Sequence, residues 1–372
     1  MSTPIYLTPD ELHASLTVRD LSDPAQGAHA MQTLLHGVVD SLQQSWNCTA
    51  RILRNPPIVS VRDNYDSLQY QGNDVTRARR YTRYLSPTAM LRSHTSADLP
   101  AALRQYQGRT DVDELLAVPG LVYRRDVVDR THVGEPHQVD LWRIRSTPRT
   151  TQEDLDGMIG TLVDAVLPGA EWKTTPAVHP YTTDGRQIDV LHEGEWLELA
   201  ECGQIHPEVL RCAGLDPAQW SGLALGMGLD RALMLRKRIP DIRYLRATGE
   251  RAAQQMQDLS PWRPVSPLPA ARRDISVVID AGEDEETLGD AVRRALGGDS
   301  GLVESVELLS RTSCNLLPQP ARERLGIREG QDNALIRITI RPLERTLSSR
   351  QANELRNRIY RAVHQGPHQE II

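Results

Sequence analysis

Apolar positions recur at helical spacing through "AQGAHAMQTLLHGVVDSLQQSWN", residues 25–47, which predicts an amphipathic helix. "RNPPIVSV" follows with prolines and a short apolar strand, and from about 85 to 145 short helical and strand patterns alternate. There "LVYRRDVVDRTHVGEPHQVDLWRIR" (121–145) reads as two strands joined by a polar loop. "RQIDVLHEGEWLELAE" (186–201) alternates around an "HEGE" turn, the mark of a hairpin. In "GLALGMGLDRALMLRKRIPDIRYL" (222–245) an apolar strand runs straight into a helix that starts near 229. Glycines 222, 226 and 228 leave that strand's backbone bare, and Arg231 falls in the helix's first turn, near its positive end. Together these suit a planar, anionic ligand such as a nucleotide; the plainer alternative is a buried strand under a helix, with Arg231 on the solvent face.

"DLSPWRPVSPLPA" (258–270) has four prolines and is the best linker candidate. The order beyond it is strand ("DISVVID"), helix ("TLGDAVRRALGG"), strand ("VESVELLS"), strand ("NALIRITIRP"), helix ("SSRQANELRNRIYRAVHQ") and short strand ("QEII"). That βαββαβ order predicts a ferredoxin-like tail. The expected division is 1–257, linker 258–270 and tail 271–372.

Composition adds limits. The 372 residues suggest two or three domains, and 39% hydrophobic with 25% charged residues describes an ordinary globular chain. No apolar run reaches membrane-span length, and the amino terminus "MSTPIYLTPDEL" lacks the apolar core of a signal peptide, so a cytoplasmic protein with no membrane partner is expected. Cys48, Cys202, Cys212 and Cys314 lie far apart with no CxxC, which argues for reduced thiols and against zinc. A net charge of −6 gives no global basic field, although a local patch can still serve an RNA. Lys173 and Lys237 are the only lysines, and there is no phenylalanine beside ten tyrosines and six tryptophans.

Several fragments occur together and in order: "MLRSHTS" (90–96), "VYRRDVVDRTH" (122–132), "HQVD" (137–140), "WLELAECGQIHPEVL" (196–210) and "GMGLDR" (226–231). They resemble phenylalanyl-tRNA synthetases; "YRRD" and "GMGLDR" are similar to the second and third signature motifs of class II aminoacyl-tRNA synthetases. "RRDISVVID" and "IRITIRPLERTL" resemble the anticodon-binding domain of the single-chain organelle form, so the resemblance covers roughly residues 30–370. It implies an α+β protein, a class II antiparallel sheet flanked by helices plus the ferredoxin-like tail, that activates an amino acid with ATP and Mg²⁺ and passes it to tRNA, as a monomer or homodimer. Such chemistry is mostly positioning and charge neutralisation. By the family pattern Arg124 bridges the α-phosphate and the substrate carboxylate, Arg231 holds the γ-phosphate and covers adenine, and His132 reaches the phosphates. Asp126, Pro136 and Gly228 complete the ATP site. Glu198, with Asp189 beside it, is the implied Mg²⁺ carboxylate. Ser96, Gln138 and Asp140 match the receivers of the α-ammonium, bordered by His94. Arg272 and Arg273 are candidate tRNA contacts.

The departures from the pattern fall in the amino-acid pocket. Where the family has Phe-Pro-Phe this chain has His179, Pro180 and Tyr181, and the small "GCG" stretch becomes "AECGQ", with Glu201 and Gln204. Pro136 replaces the aromatic that stacks on adenine, Asp126 and Asp140 are shortened acids, and Ala224 with Gly226 keeps the floor small. Avoidance of phenylalanine throughout the chain accounts for Tyr181 and Pro136. It does not account for His179, Glu201 or Gln204, so a repolarised pocket is expected as well. A ligase for a non-tRNA acceptor, and a non-catalytic tRNA-binding regulator, are the rival functions.

Overall fold

The computed structural model describes residues 6–78, 81–265 and 268–368. It forms two compact units, one of residues 1–124, 135–239 and 255–262, the other of 125–134, 240–254 and 263–372. Strands of the first are β1 (Thr49–Ile52), β2 (Ile58–Ser60), β3 (Ala89–Leu91), β4 (Asp113–Leu121), β5 (His137–Arg145), β6 (Trp172–Pro176), β7 (Thr182–His192), β8 (Glu195–Ile205) and β9 (Ser221–Gly228). Seven make one sheet in the order β1-β4-β5-β9-β8-β7-β6, while β2 and β3 pair separately. Only β1 runs parallel to its neighbour in that sheet. The expected antiparallel sheet is present.

Register defines what the sheet offers a ligand. Val118, Asp140, Gly226, Glu201 and Gln187 lie side by side across β4, β5, β9, β8 and β7, and so share a face. The next row on that face is Leu116, Trp142, Ala224 and Gly203. Leu116, Val118, Trp142, Ile144, Ile205 and Ala224 join a core with Leu99, Leu103, Tyr106, Leu210 and Trp220, so this end of the face is covered. The other end carries Gln138, Asp140, Glu201 and the two bare glycines 226 and 228. Alternation sends Val139, Leu141, Leu223 and Leu225, all buried, to the opposite face. The helices Ala30–Trp46, Gln152–Val166 and Leu229–Lys237 pack on one another and against the sheet. The predicted helix over 25–47 therefore begins at Ala30, where His29 caps it by accepting from the Met31 N–H.

The "HEGE" hairpin closes through Glu193 and Gly194, both at positive φ (52° and 89°), the turn that matches strand twist. The other sequence-read hairpin is displaced: β4 ends at Leu121. Val122 and Tyr123 instead bond Pro136 and Arg92 outside the ladder.

The second unit holds β10 (Ala271–Asp280), β11 (Val303–Ser313) and β12 (Gln331–Ile340), antiparallel in the order β10-β12-β11. The helices Glu285–Leu296 and Ser349–Val363 cover one face, burying Ile275, Val277, Ile336 and Ile338 against Leu288, Val292, Leu355 and Ile359. This is the predicted ferredoxin-like order through its fifth element; the last strand, "QEII", lies outside the described residues. A short helix, Gln319–Leu325, sits between β11 and β12, where the pattern offered no hydrophobic stripe long enough to notice. Residues 125–134 also pack here. Val128 enters the core, its carbonyl accepts from the Val306 N–H at 2.9 Å, and Arg130 pairs with Glu304 at 2.8 Å. Arg293 clasps the carbonyls of Asp126 and Val127.

The described part of the proline-rich linker has no helix or strand, but its start is fastened: Lys237 Nζ donates to the carbonyls of Asp258 and Ser260 at 2.6 and 2.7 Å. All four cysteines are unpaired, and no helix among the described residues is long and apolar enough to cross a membrane.

Candidate active site

Gly226 and Gly228 differ from the other glycines of this sheet face. A Cβ on Gly222 would stand 2.2 Å from the Arg143 carbonyl oxygen and one on Gly203 would stand 2.8 Å from the Thr182 Cβ, so internal packing demands glycine there. At Gly226 the nearest atom would be Gln138 Nε2 at 3.5 Å, and at Gly228 the Arg231 Cβ at 4.0 Å. Among the described residues, a Cβ at either position would therefore meet no clash.

Two guanidinium groups flank that space. Arg124 donates from Nε to the Ser93 carbonyl (2.9 Å) and from Nη2 to Gln138 Oε1 (3.2 Å); Gln138 is in register with Gly228. Arg231 stands in the first turn of the helix that Gly228 caps, and makes one long bond to the Glu198 carbonyl at 3.4 Å. Among the described residues neither arginine has a carboxylate partner within ion-pair distance. Asp230, between them in sequence, instead accepts from the His137 backbone N–H and from its Nδ1 at 3.0 Å. His137 Nε2 accepts from the Leu21 N–H at 2.9 Å, which fixes the proton on Nδ1. The helix start is thus pinned to the start of β5.

Arg124's anchor belongs to the "LRSHTS" segment. Ser93 is held by Asn64 through its N–H (3.1 Å) and hydroxyl (2.9 Å). Arg92 is buried against Asp98 at 2.6 Å and lies over Gly120, whose φ of 149° and whose contact with that guanidinium both require glycine. Thr95 and Ser96 donate to the two oxygens of Asp140 at 2.7 and 2.8 Å, and Trp142 Nε1 donates at 3.1 Å. Burial raises the Asp140 carboxyl while these three donors hold it down, with a net rise. Asp140 is thus enclosed by these donors, and Ser96 is itself only 1% exposed.

The expected amino-acid residues come together with one exception. His94, Ser96, Gln138, Asp140, Tyr181, Glu201, Ala224 and Gly226 belong to this face or its wall, and His179 Nε2 meets Glu201 Oε2 at 2.9 Å. Gln204 does not join them. It is next to Gly203 in an alternating strand, so it points to the opposite face, where it accepts from Thr150 (2.8 Å) and donates to the Thr151 carbonyl (2.9 Å). The bulge at Leu199 has the reverse effect: Ile188 pairs with Ala200 but Asp189 with Glu198, which brings Glu198 onto Glu201's face. The Glu198 carboxyl is raised by burial, then by Glu201, with Asp189 adding to it against the pull of Arg231. Such crowding is what a bound cation would relieve. No group of three or more metal-ligating side chains occurs among the described residues, so the two-carboxylate pair suits a hard ion that takes its remaining ligands from phosphate and water.

Asp126 and His132 lie in the segment that packs with the second unit. His132 is folded onto Asp129, donating its backbone N–H at 2.9 Å and meeting it through Nδ1 at 2.8 Å. Burial opposes Asp129 ionisation, yet the bonds from His132 and Thr131 hold its carboxyl down to about 2. Pro136 contributes its carbonyl to the Val122 N–H. On β10, Arg272 is exposed on the open face, whereas Arg273 turns to the helix side and donates to Asn353 at 2.8 Å. The two do not form one patch.

Three residues of the site escaped the sequence reading. Trp142 and Thr95 bond Asp140 from the buried side and Tyr70 stacks on His94; Trp142 is legible by alternation, two positions from Asp140. Tyr70 stacks on His94 (5.4 Å, 16°) and Trp142 on Tyr181 (5.8 Å, 18°).

The model of the family described as "tRNA synthetases class II core domain (F)" matches residues 21–256. The chain belongs to that class II synthetase family. Among its relatives is the phenylalanine–tRNA ligase alpha subunit of Prochlorococcus marinus strain MIT 9313, 31% identical over 246 residues, 63% of this chain and 69% of that one. The Nostoc punctiforme alpha subunit is 29% identical over 255 residues (68% and 76%). The chloroplastic/mitochondrial phenylalanine–tRNA ligase of Arabidopsis thaliana is 27% identical over 317 residues, 82% of this chain and 68% of that one. In this class II synthetase the matched span contains Arg124, Arg231 and the Gly226–Gly228 floor.

His94 gives the site a pH signature. Burial, then the charge of Arg124, push its imidazole down to about 3 from 6.5. Below pH 6.5 the unfolded chain takes up a proton that the folded site refuses, so stability falls with pH from 6.5 towards 3. His94→Gln is expected to flatten that part of the profile relative to wild type, measured as denaturation midpoints at pH 7, 5.5 and 4. An unchanged slope would mean that the ring is protonated in the folded site.

Proposed function

We propose that the protein activates an amino acid with ATP as an aminoacyl-adenylate and transfers it to tRNA. The observation that carries this reading is the pair of arginines that, among the described residues, have no carboxylate within ion-pair distance, on either side of the bare Gly226–Gly228 floor. Two uncompensated cations over an open backbone, with a helix N-terminus beside them, are a place for a polyanion with a flat base. Arg124 reaches towards Gln138 and the Ser96–Asp140 pair, so it stands where an amino acid's carboxylate and the α-phosphate can both meet it. Arg231 takes the distal phosphates. Gln138 and Ser96 receive the α-ammonium, with Asp140 below them as the balancing charge. His94 adds support: its Nδ1 is buried without a partner, a polar atom that a ligand would satisfy.

Glu198 and Asp189 would hold Mg²⁺, which supplies further neutralisation of the phosphates. With that ion in place the protein's own groups hold the carboxylate in line with the α-phosphate, and the excess negative charge of the transition state falls on Arg124. Transfer to tRNA is supported by the family and by the ferredoxin-like unit, whose exposed Arg272 is the stronger of the two candidate phosphate contacts.

The test is amino-acid-dependent ATP–pyrophosphate exchange over all proteinogenic amino acids and ring-substituted phenylalanines, with and without tRNA. Exchange with an aromatic amino acid, and charging of tRNA with the same one, is expected. Exchange without charging would point to another acceptor, and no exchange would leave a binding protein on a synthetase scaffold.

A further inference from the structure

Two carboxylates flank Gly226 in one row of the sheet, Asp140 on β5 and Glu201 on β8. They are two strand spacings apart, about 10 Å between backbones. Asp140 is the buried, fully bonded one, covered by Thr95, Ser96 and Trp142. Glu201 is different. Its side chain is 39% exposed, one oxygen meets His179 Nε2 at 2.9 Å, and no bond is recorded for the other. His179 is itself largely enclosed, 13% exposed, with Nδ1 3.5 Å from the Thr182 hydroxyl. The wall between the two carboxylates is aromatic: His94 stacked on Tyr70, Tyr70 beside Tyr181 at 6.4 Å, Tyr181 stacked on Trp142 and 5.9 Å from His179.

We propose that the amino acid is aromatic and carries a hydrogen-bond donor, a hydroxyl or an amine, on its ring, and that Glu201 reads that donor while His179 positions Glu201. The inference rests on the reading of this face as the amino-acid site. A ring laid across bare Gly226 with its ammonium at Ser96 and Gln138 points its far end at Glu201. An unsubstituted phenyl ring there strips water from a carboxylate and returns nothing, whereas an N–H or O–H donor replaces the lost hydrogen bond with a charge-assisted one. Sites built to bond a polar group reject the analogue lacking it far more strongly than an apolar pocket rejects an added hydroxyl. His179 Nε2 stands against one Glu201 oxygen, which orients the carboxylate and leaves its second oxygen for the ligand.

The experiment compares kcat/KM in ATP–pyrophosphate exchange for phenylalanine, 3-hydroxy-, 4-hydroxy- and 4-aminophenylalanine, in wild type and in Glu201→Met. Wild type is expected to prefer one donor-bearing analogue over phenylalanine by at least about a hundredfold, and the hydroxy and amino arms tell which donor is read. Glu201→Met, matched in length and apolar, is expected to collapse that ratio to within about tenfold by improving phenylalanine as well as losing the analogue. His179→Phe, which leaves Glu201 in place but unoriented, is expected to lower the ratio partially and through KM. If wild type uses phenylalanine, or any aliphatic amino acid, best, the inference is overturned while amino-acid activation stands. If no amino acid supports exchange, activation itself falls and this inference with it. The wild-type comparison decides the matter even should Glu201→Met fail to fold.

Discussion

Arg124→Ala is expected to lower amino-acid-dependent ATP–pyrophosphate exchange by about a hundredfold or more, and Arg231→Ala by a similar factor. In the proposed site each guanidinium would neutralise oxygens that gain charge as the carboxylate attacks phosphorus. Removing one donor from such a preorganised site costs about 3 kcal/mol in comparable oxyanion holes. The two variants should differ in kind. If Arg124 meets the reacting centre as proposed, its loss appears in kcat; if Arg231 holds the distal phosphates, its loss appears mainly as a raised KM for ATP. Lysine should rescue neither fully, because a point charge cannot reproduce the fork that spans two oxygens. Arg124 is exposed, with bonds only to the Ser93 carbonyl and Gln138, and Arg231 makes one long bond, so both variants should melt close to the wild-type temperature. Near-normal exchange in either, measured at saturating amino acid and varied ATP, would remove that arginine from the ATP site.

Periodicity made the scaffold legible and left the site's finer geometry hidden. Alternation and turn chemistry placed the β7–β8 hairpin, because its signals are local: an apolar-polar alternation and a Glu-Gly turn whose φ angles glycine favours. The first five elements of the tail could be read for the same reason. Gln204 was misplaced because it was judged by motif rather than by parity; next to Gly203, on an alternating strand, it had to face the other way. The Leu199 bulge is the opposite case, since one unpaired residue reverses parity and no local signal announces it. His137 with Asp230 is a partnership across 93 residues, beyond the reach of any window. A cut before the proline-rich stretch looks natural in the sequence, yet Val128 packs in the core of the tail and Arg293 holds the chain beside it. Truncation at 266 would expose that residue, so point variants are the cleaner tool.

Gly226→Val should abolish exchange while leaving the protein folded, and this pairing of effects is what distinguishes a ligand floor from a packing glycine. The backbone at 226 is extended and makes no demand for glycine; a Cβ there would meet nothing closer than the Gln138 amide at 3.5 Å. Valine suits a strand, so the substitution should leave the melting temperature within a few degrees or raise it slightly. Its two methyl groups would nonetheless occupy the volume between Asp140 and Glu201, on the row where the amino-acid ring is proposed to lie. Exclusion by bulk leaves no alternative pose on a flat sheet, so loss of activity by about a hundredfold or more is expected, on the scale of misplacing a reacting group. The control is Gly222→Val, where a Cβ would stand 2.2 Å from a backbone carbonyl oxygen and the strand itself must give way. That variant should lose stability first and activity only as a consequence. Full exchange by a folded Gly226→Val protein would show that the space above Gly226 is not where the amino acid binds, and would remove the geometric basis for assigning Glu201 a part in choosing it.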